Sequence, residues 1–147
     1  VRAVGRTAIG VRGIRLADND KVVSLIVAES NDPILTATEK GYGKRTQLDE
    51  YRTQARGGSG VISIKTSERN GQVVGAIQVT DEDEMMLISN KGTLVRARAV
   101  DVSIIGRNTQ GVTLINIAEE EMLVSVAKIA ETEDDEQESE GDSQSEE

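Results

Sequence analysis

The chain has 147 residues and contains no cysteine, histidine, tryptophan or phenylalanine. This composition excludes a disulfide framework, a zinc site built from cysteine and histidine, a thiol nucleophile and a histidine-based triad. The formal net charge of −9 arises at the C-terminal end, because residues 131–147 contain ten acidic and no basic residues, whereas residues 1–130 contain 17 basic and 16 acidic residues. We expect residues 131–147 to be a disordered acidic tail, since such a run cannot bury enough apolar surface to offset chain entropy.

Short runs of β-branched residues alternate with turn residues along the chain. In chain order, the predicted strands are residues 11–16, 22–27, 34–38, 61–66, 73–79, 85–89, 93–98, 112–117 and 123–129. Short strands separated by turns at regular spacing, without a sustained helical period, predict an all-β protein. Asn70-Gly71 is a typical two-residue hairpin turn and predicts a hairpin at this point.

The chain also repeats itself about every 50 residues. Arg6, Arg56 and Arg107 each stand four residues before a Gly-Val pair, at offsets of 50 and 51. A fixed period of about 20–50 residues is typical of stacked or radial repeat proteins. The repeats span about residues 5–55, 56–106 and 107–130.

Each full repeat contains about four strands, counting one that carries Lys44 and Arg45. We therefore expect each repeat to form one blade of four antiparallel strands in a propeller-like array. Two and a half blades do not close a ring, and Val1 stands in mid-pattern. We expect the chain to be part of a larger disc.

Within the first strand of each repeat, one position is always apolar and the next is always polar. The apolar residues are Ile14, Ile64 and Ile115. The polar residues are Arg15, Lys65 and Asn116. Because side chains alternate between the two faces of a strand, we expect the isoleucines to face the blade interior and the polar residues to face outward.

Three segments carry a family resemblance. They are residues 10–16 (GVRGIRL), 35–46 (LTATEKGYGKRT) and 106–112 (GRNTQGV). Together with the period and the acidic tail, they resemble the C-terminal domain of the bacterial DNA gyrase A polypeptide, over residues 1–130. The resemblance implies a six-bladed β-pinwheel that wraps DNA around a basic rim, with this chain supplying the last blades. It also implies that the chain has no catalytic residues.

The resemblance further implies a parent type IIA topoisomerase that uses ATP and magnesium through other domains to supercoil DNA negatively. The implied partners are double-stranded DNA, gyrase B and a second copy of gyrase A, without a membrane, in the bacterial cytoplasm at the nucleoid. The family's signature box is a glutamine, two arginines, two glycines, a lysine and a glycine. Residues 54–60 (QARGGSG) have Ala55 and Ser59 at two of its basic positions. We therefore expect this chain to bend DNA poorly even if it binds.

DNA wrapping needs contacts to phosphates rather than to bases, and lysine and arginine supply them. The candidate DNA-binding residues lie at the repeat anchor (Arg6, Arg56, Arg107), on the first strand (Arg15, Lys65) and on the fourth strand (Lys44, Arg45, Arg96, Arg98). Lys44-Arg45 is the strongest candidate, because Gly41 and Gly43 let backbone N–H groups approach a phosphate; the same glycines also suit a tight hairpin without a ligand. The anchor arginines have an alternative role, in which they bind carbonyl groups of an adjacent blade.

Other functions stay open from the sequence. One is the C-terminal domain of a topoisomerase IV subunit, and another is a propeller-type protein-interaction module, since a fold does not determine a function. The four acids at 81–84 favour a solvated turn over a metal site, because consecutive side chains in a turn rarely converge. The acidic tail leads to a further hypothesis, that residues 131–147 compete with DNA for the basic rim.

Overall fold

The computed structural model of the chain describes residues 2–130, so the acidic tail predicted at 131–147 lies outside the described residues. The described strands are β1 (Ile34–Thr38), β2 (Tyr42–Thr46), β3 (Val73–Gln78), β4 (Glu84–Ser89), β5 (Leu94–Arg98), β6 (Val112–Thr113) and β7 (Leu123–Lys128). Two single-turn 3-10 helices, Leu48–Glu50 and Ala99–Asp101, follow β2 and β5. The prediction of an all-β fold is confirmed.

The first sheet has four antiparallel strands in the order β3-β1-β2-β6. Its centre is β1, in which all five residues are buried. Leu35 of β1 pairs with Arg45 of β2 on one side and with Ile77 of β3 on the other. The turn between β1 and β2 needs Gly41, whose φ of 81° lies in the left-handed region that favours glycine.

The second sheet has three antiparallel strands in the order β5-β4-β7. Burial alternates along β4, with Met85, Leu87 and Ser89 buried and the residues between them only partly buried. This alternation follows from the period of two in a strand with one face in the core. Among residues 2–130, β5 pairs only with β4, so it is the edge of this sheet.

A sheet in this structure is not one sequence repeat, contrary to our expectation. The hairpin β1–β2 comes from the first repeat, β3 from the second and β6 from the third. Likewise, the hairpin β4–β5 of the second repeat is joined by β7 of the third. One sheet has the four antiparallel strands expected of a blade and the other has three within residues 2–130, and in both the hairpin is completed by strands from later repeats.

The hydrophobic core lies between the two sheets. Its fully buried members are aliphatic: Leu35, Ala37, Val79, Met85, Leu87, Ala99 and Leu123, with Val102 and Val126 almost as buried. β3 and β7 lie against each other across this core, and Val126 packs near Gly75. Burial of a leucine or methionine side chain contributes roughly 1.5–3 kcal/mol, so these residues hold the sheets together.

Some predicted strands are absent from the described structure. Residues 11–16, 22–27 and 61–66 form no strand, and the first of them has only an isolated bridge from Ile14 to Gly58. A strand requires a continuous hydrogen-bonded neighbour, and the described residues supply none along these segments. The hairpin predicted at Asn70-Gly71 is also wrong, because β3, which follows this turn, pairs with β1 instead. No helix within residues 2–130 is long and apolar enough to cross a membrane.

Backbone hydrogen bonds between successive repeats recur with the same offset as the sequence repeat. The Arg15 N–H donates to the Gly58 carbonyl at 2.8 Å, and the Lys65 N–H donates to the Thr109 carbonyl, also at 2.8 Å. The two donors are 50 residues apart and the two acceptors are 51 apart. Successive repeats therefore contact each other in the same way.

Candidate nucleic-acid interface

Lys44, on β2, has a completely buried side chain. Its Nζ donates hydrogen bonds to the carbonyls of Gly106 and Arg107, each at 2.5 Å, and to Thr109 Oγ1 at 3.0 Å. Burial disfavours the charged amine and lowers the pKa of Lys44 to about 8, with the nearby charge of Arg107 acting in the same direction and that of Glu50 opposing it. The amine thus fastens β2 to the beginning of the third repeat.

Arg45, next along β2, is 4% exposed. Its Nε donates to the Val102 carbonyl at 2.8 Å, Nη2 donates to the Val100 carbonyl at 3.4 Å, and Nη1 binds Asp81 Oδ1 at 2.5 Å. The backbone is tied to the same segment, since the Ile105 N–H donates to the Arg45 carbonyl at 2.9 Å. Residues 102–105 therefore lie along β2 and cover the arginine.

This burial removes Lys44 and Arg45 from the candidate DNA surface, although they were the strongest sequence candidates. Their donors are occupied by protein oxygens, and a phosphate cannot reach a side chain with almost no exposed area. The role of Gly43 is also different from the expected one. A Cβ at this position would collide with Leu114 and with the Thr36 carbonyl, so the glycine allows close packing of the chain rather than approach to a ligand.

Arg107 takes the alternative role considered for the anchor arginines. Its Nη1 donates to the Ile62 carbonyl at 2.8 Å, which links the third repeat to the second. Its Nε is buried without a partner among the described residues. Arg6 and Arg56 occupy the equivalent positions and are exposed, so their contact with DNA stays a prediction.

The first-strand positions follow the predicted alternation in part. Arg15, Lys65 and Asn116 are exposed, as expected for the outer face. Ile64 is buried as expected, whereas Ile14 is 44% exposed. Arg15 and Lys65 are equivalent cations on one face of successive repeats, and the described residues provide neither with a carboxylate partner.

Arg96 and Arg98 on β5 are exposed, but both bind carboxylates. Arg96 Nε donates to Glu84 Oε2 at 2.6 Å, and Nη2 of the same guanidinium binds the same oxygen. Arg98 makes two parallel bonds to Asp101, at 3.0 Å from Nε to Oδ2 and at 2.9 Å from Nη2 to Oδ1. The hydrogen bonds and the charge of Asp101 hold the pKa of Arg98 above its ordinary value.

The acidic turn at 81–84 binds cations on three separate segments. Asp81 binds Arg45, Glu84 binds Arg96, and Asp83 binds Lys128 at 2.8 Å. Burial alone would raise the pKa of Asp83, but hydrogen bonds from Lys128 and Thr80 outweigh it and hold this pKa below its ordinary value. The turn therefore neutralises cations rather than being simply solvated. Within residues 2–130, no group of acidic side chains could hold a metal ion.

One exposed cation was missed by the sequence reasoning. The guanidinium of Arg69 lies over the ring of Tyr42, with its Cζ 4.4 Å from the ring centroid, and its Nη1 donates to Gln110 Oε1 at 3.2 Å. Arg69 does not recur in the repeat and stands beside a turn, so periodicity gave no signal for it. Only the fold brings the residue from the turn onto the tyrosine of β2.

Three consecutive segments of the chain, residues 1–29, 32–80 and 83–130, match the family described as DNA gyrase C-terminal domain, beta-propeller. The DNA gyrase A polypeptide of Salmonella typhimurium is 59% identical over 137 residues, covering 93% of this chain and 16% of the relative. The same polypeptide of Escherichia coli is 58% identical over 136 residues, covering 92% and 16%. That of Pseudomonas aeruginosa is 51% identical over 131 residues, covering 89% and 14%. The chain thus spans about one sixth of the length of these relatives.

Solved structures agree with the sequence matches. The structure of a DNA gyrase A C-terminal domain superposes with a TM-score of 0.81 at 33% identity, covering 88% of this chain and 44% of that one. The C-terminal domain of DNA topoisomerase IV superposes with a TM-score of 0.74 at 24% identity, covering 81% and 38%, and shows a shared fold. From its three matched segments and its close relatives, the chain belongs to the family of DNA gyrase C-terminal β-propeller domains.

Proposed function

We propose that this chain binds double-stranded DNA without sequence preference and forms part of the surface on which gyrase A wraps DNA. The observation that carries the proposal is the recurrence of Arg15 and Lys65, exposed cations at equivalent positions of successive repeats in a chain of this family. Cations repeated at a fixed step suit a polyanion that follows the rim of a disc.

The expected binding energy comes from phosphate neutralisation. Each lysine or arginine that contacts a phosphate releases condensed counterions, so affinity falls steeply as salt is raised. Wrapping also requires bending, which costs on the order of several kcal/mol for tens of degrees, and the sum of many phosphate contacts offsets this cost. Residues 2–130 contain only two tyrosines and no other aromatic residue, so stacking on bases is not expected to contribute much.

The test is a titration of the full chain with a short duplex of mixed sequence over a series of salt concentrations. A second duplex with the same composition and a different order of bases serves as the control. We expect the logarithm of the association constant to fall linearly with the logarithm of the salt concentration, with the same slope for both duplexes. Absence of binding at low salt, or a marked preference for one duplex, would contradict the proposal.

The competing function is a protein-interaction module, favoured by the almost neutral charge of residues 1–130. It predicts no DNA affinity in the same titration. We further propose, from the gyrase A relatives, that the parent protein works with gyrase B and a second copy of gyrase A in the bacterial cytoplasm, at the nucleoid. ATP and magnesium would act through its other domains, and supercoiling would be an activity of that assembly rather than of this chain.

A further inference from the structure

We propose that the DNA path over this chain follows the loop of residues 65–71, where Lys65 and Arg69 contact phosphates, and avoids the face of β5, whose arginines are held by their own carboxylates. We call residues 65–71 the Asn70 loop. The inference rests on the proposed DNA binding and adds to it which cations are used.

Arg69 is held in a position suited to a phosphate. Its guanidinium lies over the Tyr42 ring, which restricts the side chain while leaving its charge intact. Its side-chain hydrogen bond goes to the neutral Gln110 side chain, and the described residues give it no carboxylate partner. A guanidinium that is oriented but not neutralised can donate two parallel bonds to a phosphate.

The loop that carries Arg69 is rigidly anchored by one buried side chain. Asn70 is completely buried, and its Oδ1 accepts from the Ser67 N–H at 2.8 Å. Its Nδ2 donates to the carbonyls of Lys65 at 2.9 Å and Gln110 at 3.0 Å. The amide therefore satisfies its hydrogen bonds within the protein, closes the loop on itself and ties it to the third repeat.

Lys65 lies at the start of the same loop and is exposed, whereas its neighbour Ile64 is buried. Lys40 adds a further exposed cation on the adjoining turn, where its backbone N–H donates to the Asn70 carbonyl at 3.2 Å. Its Nζ binds the Glu68 backbone carbonyl, and the described residues give Lys40 no ion pair with a carboxylate. The Asn70 loop and the adjoining turn thus present three cations on segments that Asn70 holds together.

On the face of β5, by contrast, the arginines are already paired with carboxylates. Arg96 and Arg98 each share their guanidinium with a carboxylate, through Glu84 and Asp101 respectively. A phosphate would have to displace a carboxylate already in place, so it would gain little charge neutralisation and release few counterions. Lys91, on the turn before β5, also faces an acid, with 3.9 Å from its Nζ to Glu120 Oε2.

The net charge also differs between the sequence segment that contains the Asn70 loop and the segment that contains β5. Residues 2–80 contain twelve basic and eight acidic residues, a net charge of +4, whereas residues 81–130 contain five basic and eight acidic residues, a net charge of −3. The small net charge of the body is therefore the sum of two sequence segments of opposite sign. Without the buried Lys44 and Arg45, the first segment still has ten basic and eight acidic residues, so its exposed cations favour a polyanion more than the second segment does.

The test compares two double variants that each remove two positive charges from exposed arginine or lysine residues. Lys65→Ala with Arg69→Ala should weaken binding of the full chain to duplex DNA and reduce the slope of log affinity against log salt by about two. Arg96→Ala with Arg98→Ala should change this slope by much less than one. Both variants alter the net charge equally, so a general electrostatic effect would act on them alike.

Each outcome decides a different point. If the wild-type chain shows no salt-dependent binding, the proposed function fails, and this inference fails with it. If the wild type binds but the two double variants lose equal slope, or Arg96 and Arg98 matter more, the proposed DNA path is wrong while the proposed function stands. Lys65→Arg with Arg69→Lys keeps the charges and should retain the slope, and circular dichroism of all variants distinguishes a lost contact from a lost fold.

Discussion

Because the amine of Lys44 is buried, the free energy of unfolding of this chain should rise with pH between about 8 and 10.5. Substitution of Lys44 by methionine keeps an unbranched side chain of similar length and removes the titrating group. The variant leaves the Gly106 and Arg107 carbonyls, which are not buried, without this donor, at a cost of roughly 0.5–1.5 kcal/mol for each hydrogen bond lost. This cost does not vary with pH, so the pH dependence isolates the amine itself.

The size of the effect follows from the pKa. Lys44 releases its proton at about pH 8 in the folded chain, compared with the ordinary lysine value of 10.5 in the unfolded chain. Between these two values the unfolded state holds more protons, so the free energy of unfolding rises with pH. The full shift corresponds to about 3 kcal/mol, of which about 2 kcal/mol falls between roughly pH 7.5 and pH 10.

The assay is denaturant unfolding of the wild type and of Lys44→Met at roughly pH 7.5 and roughly pH 10. We expect the difference in unfolding free energy between them to move by about 2 kcal/mol in favour of the wild type as pH rises. Lys40→Met, which removes an exposed lysine from the same hairpin, is the matched control. If Lys44→Met and Lys40→Met show the same pH dependence, Lys44 is not buried with a lowered pKa, and its role as a structural tie is wrong.

Two further predictions concern the core and the tail. Leu87→Ala, at a fully buried position of β4, should lower the unfolding free energy by about 2–5 kcal/mol. Leu94→Ala, at a position 62% exposed on β5, should lower it by less than about 1 kcal/mol. Equal losses of unfolding free energy in a denaturant titration would refute the placement of the core. Deletion of residues 131–147, which removes ten negative charges, should strengthen DNA binding at low salt and have little effect at high salt, and an unchanged affinity at low salt would reject competition by the tail.

The sequence predicted those strands that are themselves runs of apolar and β-branched residues. β1, β3, β4, β5 and β7 lie within one or two residues of the predicted runs, because each is a run of β-branched and apolar residues bounded by turn residues. β2, with the sequence Tyr42-Gly-Lys-Arg-Thr46, shows no such run. Its residues are buried by segments about 60 positions later, so nothing local indicates that this lysine and arginine lie inside.

The same limit explains the errors about the site. Lys44 and Arg45 were assigned to phosphate because Gly41 and Gly43 beside them let backbone N–H groups approach a ligand. They are inside because the Gly106, Arg107 and Val102 carbonyls accept hydrogen bonds from them. A single sequence shows which side chains carry charge, but it does not show which distant carbonyls will meet them.

Arg45 and Arg96 show what the exchange of strands between repeats means for function. The two residues are 51 positions apart and equivalent in the repeat, yet one is 4% exposed and the other lies on an exposed edge strand. Residues 102–105 of the chain cover β2, whereas among residues 2–130 no segment lies along the outer edge of β5. Whether a repeated arginine is available to DNA therefore depends on two later features, the segment that covers it and the carboxylate that faces it. Equivalence in the repeat gives the position of a cation along the chain, but its neighbours determine whether a phosphate could reach it, so an alignment of repeats alone overcounts the candidate DNA-binding residues.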